Sequence, residues 1–244
     1  MLPLAAVVTS IEGTTTPLSF IRDVLFAFAR ERFPGFLQTH ADDPEVAGQL
    51  AEVRRLAPGR SELDVLLHWM EQDAKITPLK ALQGMIWREG YRAGALVGAV
   101  YPDVPPALRR WRAAGLRLYG FSYGSSEAQR LILSNSSAGD LSGLFSGFFD
   151  TRVGSKREPG SFSRLAIGLG RPPAEILYLS DVESELDAAA TAGMRTCQVL
   201  RRRNGARRSD QHPHVSDFAG VAARMRLNGP GALPLDPAKG REAL

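Results

Sequence analysis

Apolar positions along this chain follow two different periods. Short runs at 4–10, 116–122, 176–180 and 195–200 are apolar or β-branched, and Gly, Pro or polar residues bound them, so each predicts a buried strand. Helical patterns lie between or beside the later runs: Pro105 to Ala114, Ser126 to Ser134, Ser161 to Gly168 and Glu183 to Ala192. Gly115 follows the first of these and Gly193 the last, as expected of helices that end on a left-handed residue. Strands alternating with helices predict an α/β fold, a Rossmann-like parallel sheet flanked by helices.

Between the first run and Tyr101 the period changes. Phe20, Val24, Phe26 and Phe28, then Leu63, Leu66, Leu67 and Met70, then Leu82, Ile86 and Tyr91 recur at helical spacing with no convincing strand among them. This predicts a helical cap, residues 18–100, inserted after the first strand of a sheet domain made of 1–17 and 101–226. Residues 227–244 are rich in Gly and Pro with little to bury, which predicts a flexible C-terminal tail.

Composition narrows the class. A chain of 244 residues, 44% hydrophobic, can bury a core without staples, and its one cysteine, Cys197, excludes an internal disulfide and a cysteine-based zinc cage. No stretch approaches the roughly 20 consecutive apolar residues of a membrane span. The apolar start MLPLAAVVTS has no Lys or Arg ahead of it and reads as a strand rather than a signal segment, so a cytoplasmic protein is expected. The net charge of +4 raises the question of nucleic acid. Yet Arg is scattered, and the one dense cluster, Arg201, Arg202, Arg203, Arg207 and Arg208, has no interleaved stacking aromatics. It reads as a solvated loop, with no nucleic-acid partner expected.

In open α/β sheets ligands bind beyond the carboxyl ends of the strands. There the sequence offers Ser10, Glu12, Gly13, Thr14 and Thr15 after the first strand, Ser122 to Ser125 after the second, Asp181, Glu183 and Glu185 after the third, and Gly154-Ser155-Lys156 before a helix. Hydroxyls and a helix N-terminus suit a phosphate, a lysine suits its charge, and carboxylates suit a hard cation such as Mg²⁺.

The motifs Ile11-Glu12-Gly13-Thr14-Thr15, Phe121-Ser122-Tyr123-Gly124-Ser125, Gly154-Ser155-Lys156-Arg157-Glu158 and Leu179-Ser180-Asp181-Val182, with Glu185-Leu186-Asp187-Ala188-Ala189, resemble those of haloacid dehalogenase-like phosphatases. More narrowly the chain resembles the enolase-phosphatases of methionine salvage (acireductone synthases) over roughly residues 5 to 203. Leu82-Gln83-Gly84 with Trp87 and Gly90-Tyr91, and Gly139-Asp140-Leu141 with Phe145-Ser146-Gly147 and Phe149-Asp150-Thr151, extend the likeness. The resemblance implies a Mg²⁺-dependent monomer that enolises 2,3-diketo-5-methylthiopentyl 1-phosphate and then removes its phosphate, giving 1,2-dihydroxy-3-keto-5-methylthiopentene. Carried over by position, Glu12 serves catalysis and the metal site, Ser122 and Tyr123 hold the phosphate, Lys156 neutralises it, Asp181 ligates Mg²⁺, and Glu185 is a supporting acid. The cap would exclude water and select the methylthio end.

Two positions depart from the family pattern. Ser10 stands where the resemblance implies an aspartate that is both nucleophile and Mg²⁺ ligand, and Tyr123 stands where a second serine is usual. A carboxylate attacking phosphorus gives an acyl phosphate that water cleaves quickly, whereas a serine gives a stable ester and has no adjacent His to activate it. Phosphatase turnover is therefore expected to be impaired.

Two other readings stand beside this one. An inactive homologue that binds a phosphorylated ligand draws on Ser10. A serine α/β-hydrolase draws on Gly120-Phe121-Ser122-Tyr123-Gly124, which fits a G-x-S-x-G elbow with Asp181 and His212 or His214 in the order of a triad.

Overall fold

Ala6–Thr9 (β1) is buried at every residue, the signature of a central strand covered on both faces. The computed structural model describes residues 3–201, 204–225 and 227. Around β1, the strands Arg117–Phe121 (β2), Gly147–Phe149 (β3), Ile176–Ser180 (β4), Arg195–Val199 (β5) and His214–Val215 (β6) pair in the order β3-β2-β1-β4-β5-β6, all parallel. Alternate residues of each strand enter different cores. Ala6, Val8, Phe121 and Tyr178 pack with Phe162 and Leu165 of α7 (Pro159–Leu169) and Leu186 of α8 (Glu183–Thr191). Val7, Leu118, Leu177 and Cys197 face Trp111 of α5 (Val104–Ala113) and Phe218 of α9 (Phe218–Met225), whose rings stack 5.1 Å apart. The parallel sheet and its two helical layers bear out the expected fold class.

Between β1 and β2 the chain forms a turn of π-helix at Phe20–Phe26 and then α1 (Ala27–Thr39), α2 (Pro44–Leu56), α3 (Glu62–Glu71) and α4 (Thr77–Arg92). Helix α4 packs on each of the other three and, toward the sheet domain, on α6 (Ser126–Ser134). Gly90 makes the approach of α1 to α4 possible, because a Cβ there would lie 2.6 Å from the Phe28 ring. The spacing that predicts helices here thus corresponds to helices; the π turn, which shifts the register of Val24 to 40% exposure, does not follow from it.

Short edge strands escaped the sequence pattern. β3 has three residues and β6 has two, too few to show a period, and both sit at the sheet's edges. Leu227, the first residue of the expected tail, is buried in the core, and residues 228–244 lie outside those described. No helix among the described residues is long and apolar enough to cross a membrane.

Arg201 corrects the expectation of a solvated arginine loop. Its side chain is 5% exposed; Nε and Nη2 both donate to the Thr14 carbonyl (3.0 and 2.9 Å) and Nη1 donates to Asp103 (2.8 Å). The guanidinium also lies over the Tyr101 ring, 4.1 Å from its centroid. Sequence spacing carried no trace of this, because the partners come from the loop after β1 and from the start of α5. Arg207 and Arg208 are exposed, as the solvated reading expects, whereas Arg202 and Arg203 lie outside the described residues. Replacing Arg201 by Met strands Asp103 and two carbonyl lone pairs, and is expected to cost about 3 kcal/mol in chemical denaturation. A loss below about 1 kcal/mol would mark the pair as no better than a surface contact.

Candidate active site

The strand order reverses at β1: β2 and β3 extend the sheet to one side, β4 to β6 to the other. The register places Thr9 beside Gly120 and Leu179, so β1, β2 and β4 end together and their following loops share one edge. Such a reversal opens the crevice in which α/β sheets take ligands.

All seven residues expected at the site meet at this edge. Lys156, on the loop between β3 and α7, is 2% exposed and donates to Ser10 Oγ at 2.8 Å. It pairs with Glu185 Oε2 at 2.9 Å, and that same oxygen accepts from Tyr178 and Ser180, each at 2.8 Å. Burial holds the Tyr178 phenol well above its usual range, so it stays a donor. The Tyr123 ring covers Lys156, with the ammonium 5.1 Å from its centroid.

Glu12 lies two residues beyond Ser10 on the loop after β1. Ser122 Oγ donates to Glu12 Oε1 at 3.3 Å and accepts from the Gly124 N–H at 3.0 Å. Ser125 caps α6 by accepting from the Ala128 N–H. Asp150, from the stretch after β3, bonds Ser126 and Arg152 and so fastens the start of α6 rather than entering the site.

Asp181 follows β4 and faces the loop after β1. Thr14 Oγ1 donates to Asp181 Oδ1 at 3.0 Å and accepts from the Asp181 N–H at 3.1 Å. Gly13, at φ +79°, is required here twice over: the conformation is left-handed, and a Cβ would lie 2.4 Å from Asp181 Oδ2. Burial is the main cause that raises the Asp181 carboxyl above its ordinary range, against the Thr14 and backbone hydrogen bonds that lower it. Gln198 Nε2 donates to the Asp181 carbonyl and holds the loop from behind.

A cleft opens from Glu12 and Ser122 toward the helical layer, lined by Ile21, Leu25, Phe26, Met70, Leu79 and Trp87. Trp87 is both packed and part of the site: Nε1 donates to the Leu25 carbonyl while the residue lines the cleft. Tyr91 is core, 5% exposed. Lys80 is a residue that sequence reasoning missed. From α4 it donates to the Tyr123 carbonyl at 2.8 Å, and burial lowers its pKa. A lone lysine two residues before Leu82-Gln83-Gly84 on a largely apolar helix was the available signal.

The triad of a serine hydrolase does not assemble. His212 bonds Asp187 (2.9 Å) and Thr196 (2.8 Å), while the polar partners of Ser122 are Glu12 and Gly124. Nor do three His, Cys, Asp or Glu side chains converge as a ready-made metal cage among the described residues. A hard divalent cation, however, is often held by one or two carboxylates together with waters and a substrate phosphate. The Asp181 carboxylate, with the Glu12 carbonyl beside Ser10 Oγ (3.5 Å), is an all-oxygen donor set that fits such an ion.

The sheet order and its helical layers define a protein with the haloacid dehalogenase-like fold. L-2-Haloacid dehalogenase RSc1362 superposes with a TM-score of 0.57 at 19% identity, covering 92% of this chain and 100% of that one. The UTR4 protein of Saccharomyces cerevisiae superposes with a TM-score of 0.75 at 28% identity, covering 88% and 98%. No family model matches the chain. The enolase-phosphatase E1 of Granulibacter bethesdensis is 53% identical over 231 residues, spanning 94% of this chain and 100% of that protein. That of Azotobacter vinelandii is 54% identical over 226 residues, spanning 90% and 98%. The chain belongs to the enolase-phosphatase E1 family.

The raised Asp181 pKa has a definite sign. The folded state binds this proton more tightly than the unfolded chain, so the carboxyl favours folding at low pH, and that contribution falls away as pH rises through the folded pKa. In the absence of divalent cation, Asp181→Asn should therefore raise the melting temperature at pH 7, with the gain shrinking toward about pH 4, the ordinary carboxylate range. Adding Mg²⁺ should stabilise the wild type and not this variant. A variant less stable than wild type at pH 7 without cation would contradict the assignment of desolvation as the main cause.

Proposed function

We propose that this chain acts on 2,3-diketo-5-methylthiopentyl 1-phosphate in methionine salvage, enolising it and releasing phosphate, with the second step slowed by Ser10. The reading is carried by the hydrogen bond between Glu12 and Ser122 in a largely apolar cleft, with the buried Lys156–Ser10 pair at the same sheet edge. Removing a proton beside a carbonyl requires a positioned base, and Glu12, half-buried and tethered by Ser122, meets that need. In this reading the Ser122 hydroxyl holds the phosphate, Lys156 neutralises it, and the start of α6 adds backbone donors. Met70, Leu79 and Phe26 offer an apolar wall suited to a methylthio group. Residues 18–100 act in this reading as the cap that excludes water.

One Mg²⁺, held by Asp181 with the Glu12 position and Ser10, would supply Lewis-acid stabilisation of developing oxygen charge. Ser10 limits the phosphoryl step in two ways. It contributes no charge to that ion, and its hydroxyl, which accepts from Lys156, has no imidazole or carboxylate side chain bonded to it among the described residues to take its proton. The same feature favours a second reading, a cytoplasmic monomer that binds the phosphorylated substrate without turnover.

Phosphate release from the diketo substrate separates these readings. Ser10→Asp should raise Mg²⁺-dependent release by about three orders of magnitude or more, the scale on which a missing nucleophile slows an enzyme. Equal release by wild type and variant would overturn the assignment of position 10 to the nucleophile. Binding of the substrate by wild type with no release and no enol product would favour the second reading.

A further inference from the structure

Tyr123 was expected to help hold phosphate, yet its ring lies against the lysine that a phosphate would need. An ammonium has three donors. Lys156 spends one on Ser10 Oγ at 2.8 Å and one on Glu185 Oε2 at 2.9 Å. The Tyr123 ring lies 5.1 Å from its nitrogen and the Phe121 ring 5.8 Å, so aromatic faces complete the shell and leave the side chain 2% exposed. The cover is anchored, because the Tyr123 carbonyl accepts from Lys80 Nζ at 2.8 Å. It also fits the neutral residue at position 10: where a carboxylate there would share the lysine's charge, a serine cannot, and the negative faces of the two rings supply part of what is missing.

We propose that Tyr123 is a specificity-determining residue, a cover on Lys156 that sets the site against a bare phosphate dianion and leaves entry to ligands that can move the ring aside through contacts in the apolar cleft. Inorganic phosphate has no apolar arm, so it meets the cover without compensation; a phosphomonoester with an apolar tail gains contacts with Met70, Leu79 and Phe26. The proposal rests on Lys156 as the phosphate-neutralising group.

Calorimetric titration of inorganic phosphate in the presence of Mg²⁺ tests it, using wild type, Tyr123→Ser, Tyr123→Phe, and Tyr123→Ser combined with Lys156→Met. Tyr123→Ser should bind phosphate about tenfold more tightly than wild type, the scale of one desolvated cation–π contact. Tyr123→Phe, which keeps the ring, should bind like wild type, and Lys156→Met should erase the gain. Equal affinity of wild type and Tyr123→Ser overturns the proposal, as does a gain in Tyr123→Phe that matches Tyr123→Ser. If Lys156→Met leaves the tighter binding intact, or no variant binds phosphate, the reading of Lys156 fails and the proposal with it; loss on Lys156→Met without a gain on Tyr123→Ser removes the proposal alone.

Discussion

An ammonium group that is 2% exposed must be matched where it stands, because the effective cost of burying an unpaired ion is several kcal/mol. Lys156 finds its matches on four separate pieces of chain: Ser10 after β1, Glu185 on α8, the Tyr178 and Ser180 hydroxyls of β4 that hold Glu185 in turn, and the Tyr123 ring after β2. Those pieces meet only if β2, β1 and β4 lie side by side, parallel and ending together, as the sheet order has them. The lysine therefore links the architecture to the chemistry. The strand order that creates the crevice also brings together the partners that let a charged group reside there.

The rest of the site is arranged in two further pairs that do not depend on Ser10 for their hydrogen bonds. Ser122 tethers Glu12, and Thr14 tethers Asp181 through a reciprocal pair of bonds. Behind Thr14 stands Arg201, whose two bonds to the Thr14 carbonyl tie the loop after β1 to the loop after β5, and Asn204 bonds the neighbouring Gly13 carbonyl. Position 10 thus carries a neutral hydroxyl, and the Glu12–Ser122 and Asp181–Thr14 pairs hold together without a side-chain bond to it. That separation underlies the proposal that proton transfer and phosphoryl transfer have different fates in this chain.

The sheet's buried strands and the residues following them were legible because burial on both faces leaves continuous apolar runs, and because ligand residues gather at strand ends. That Ser10, Glu12, Ser122, Lys156, Asp181 and Glu185 share one sheet edge could be read from those two rules and a resemblance. What escaped has a common cause in contacts between distant segments. Arg201 looked like part of a solvated cluster, since nothing near it in sequence shows Asp103 or the Thr14 carbonyl. Lys80 reads as an ordinary helix lysine until α4 is laid against the loop after β2. The place of the Tyr123 ring over Lys156 depends on how β2 and the loop before α7 meet. β3 and β6 were too short to carry a period.

On the proposed function, the site retains its means of moving a proton while its means of cleaving the phosphate ester is curtailed. Incubating the unaltered chain with Mg²⁺ and the phosphorylated diketone, and following enol and inorganic phosphate together by proton and phosphorus NMR, tests that most directly. Phosphorylated enol should accumulate well ahead of free phosphate. Phosphate appearing as fast as enol, or phosphate released with no phosphorylated enol detectable at any time, would contradict it.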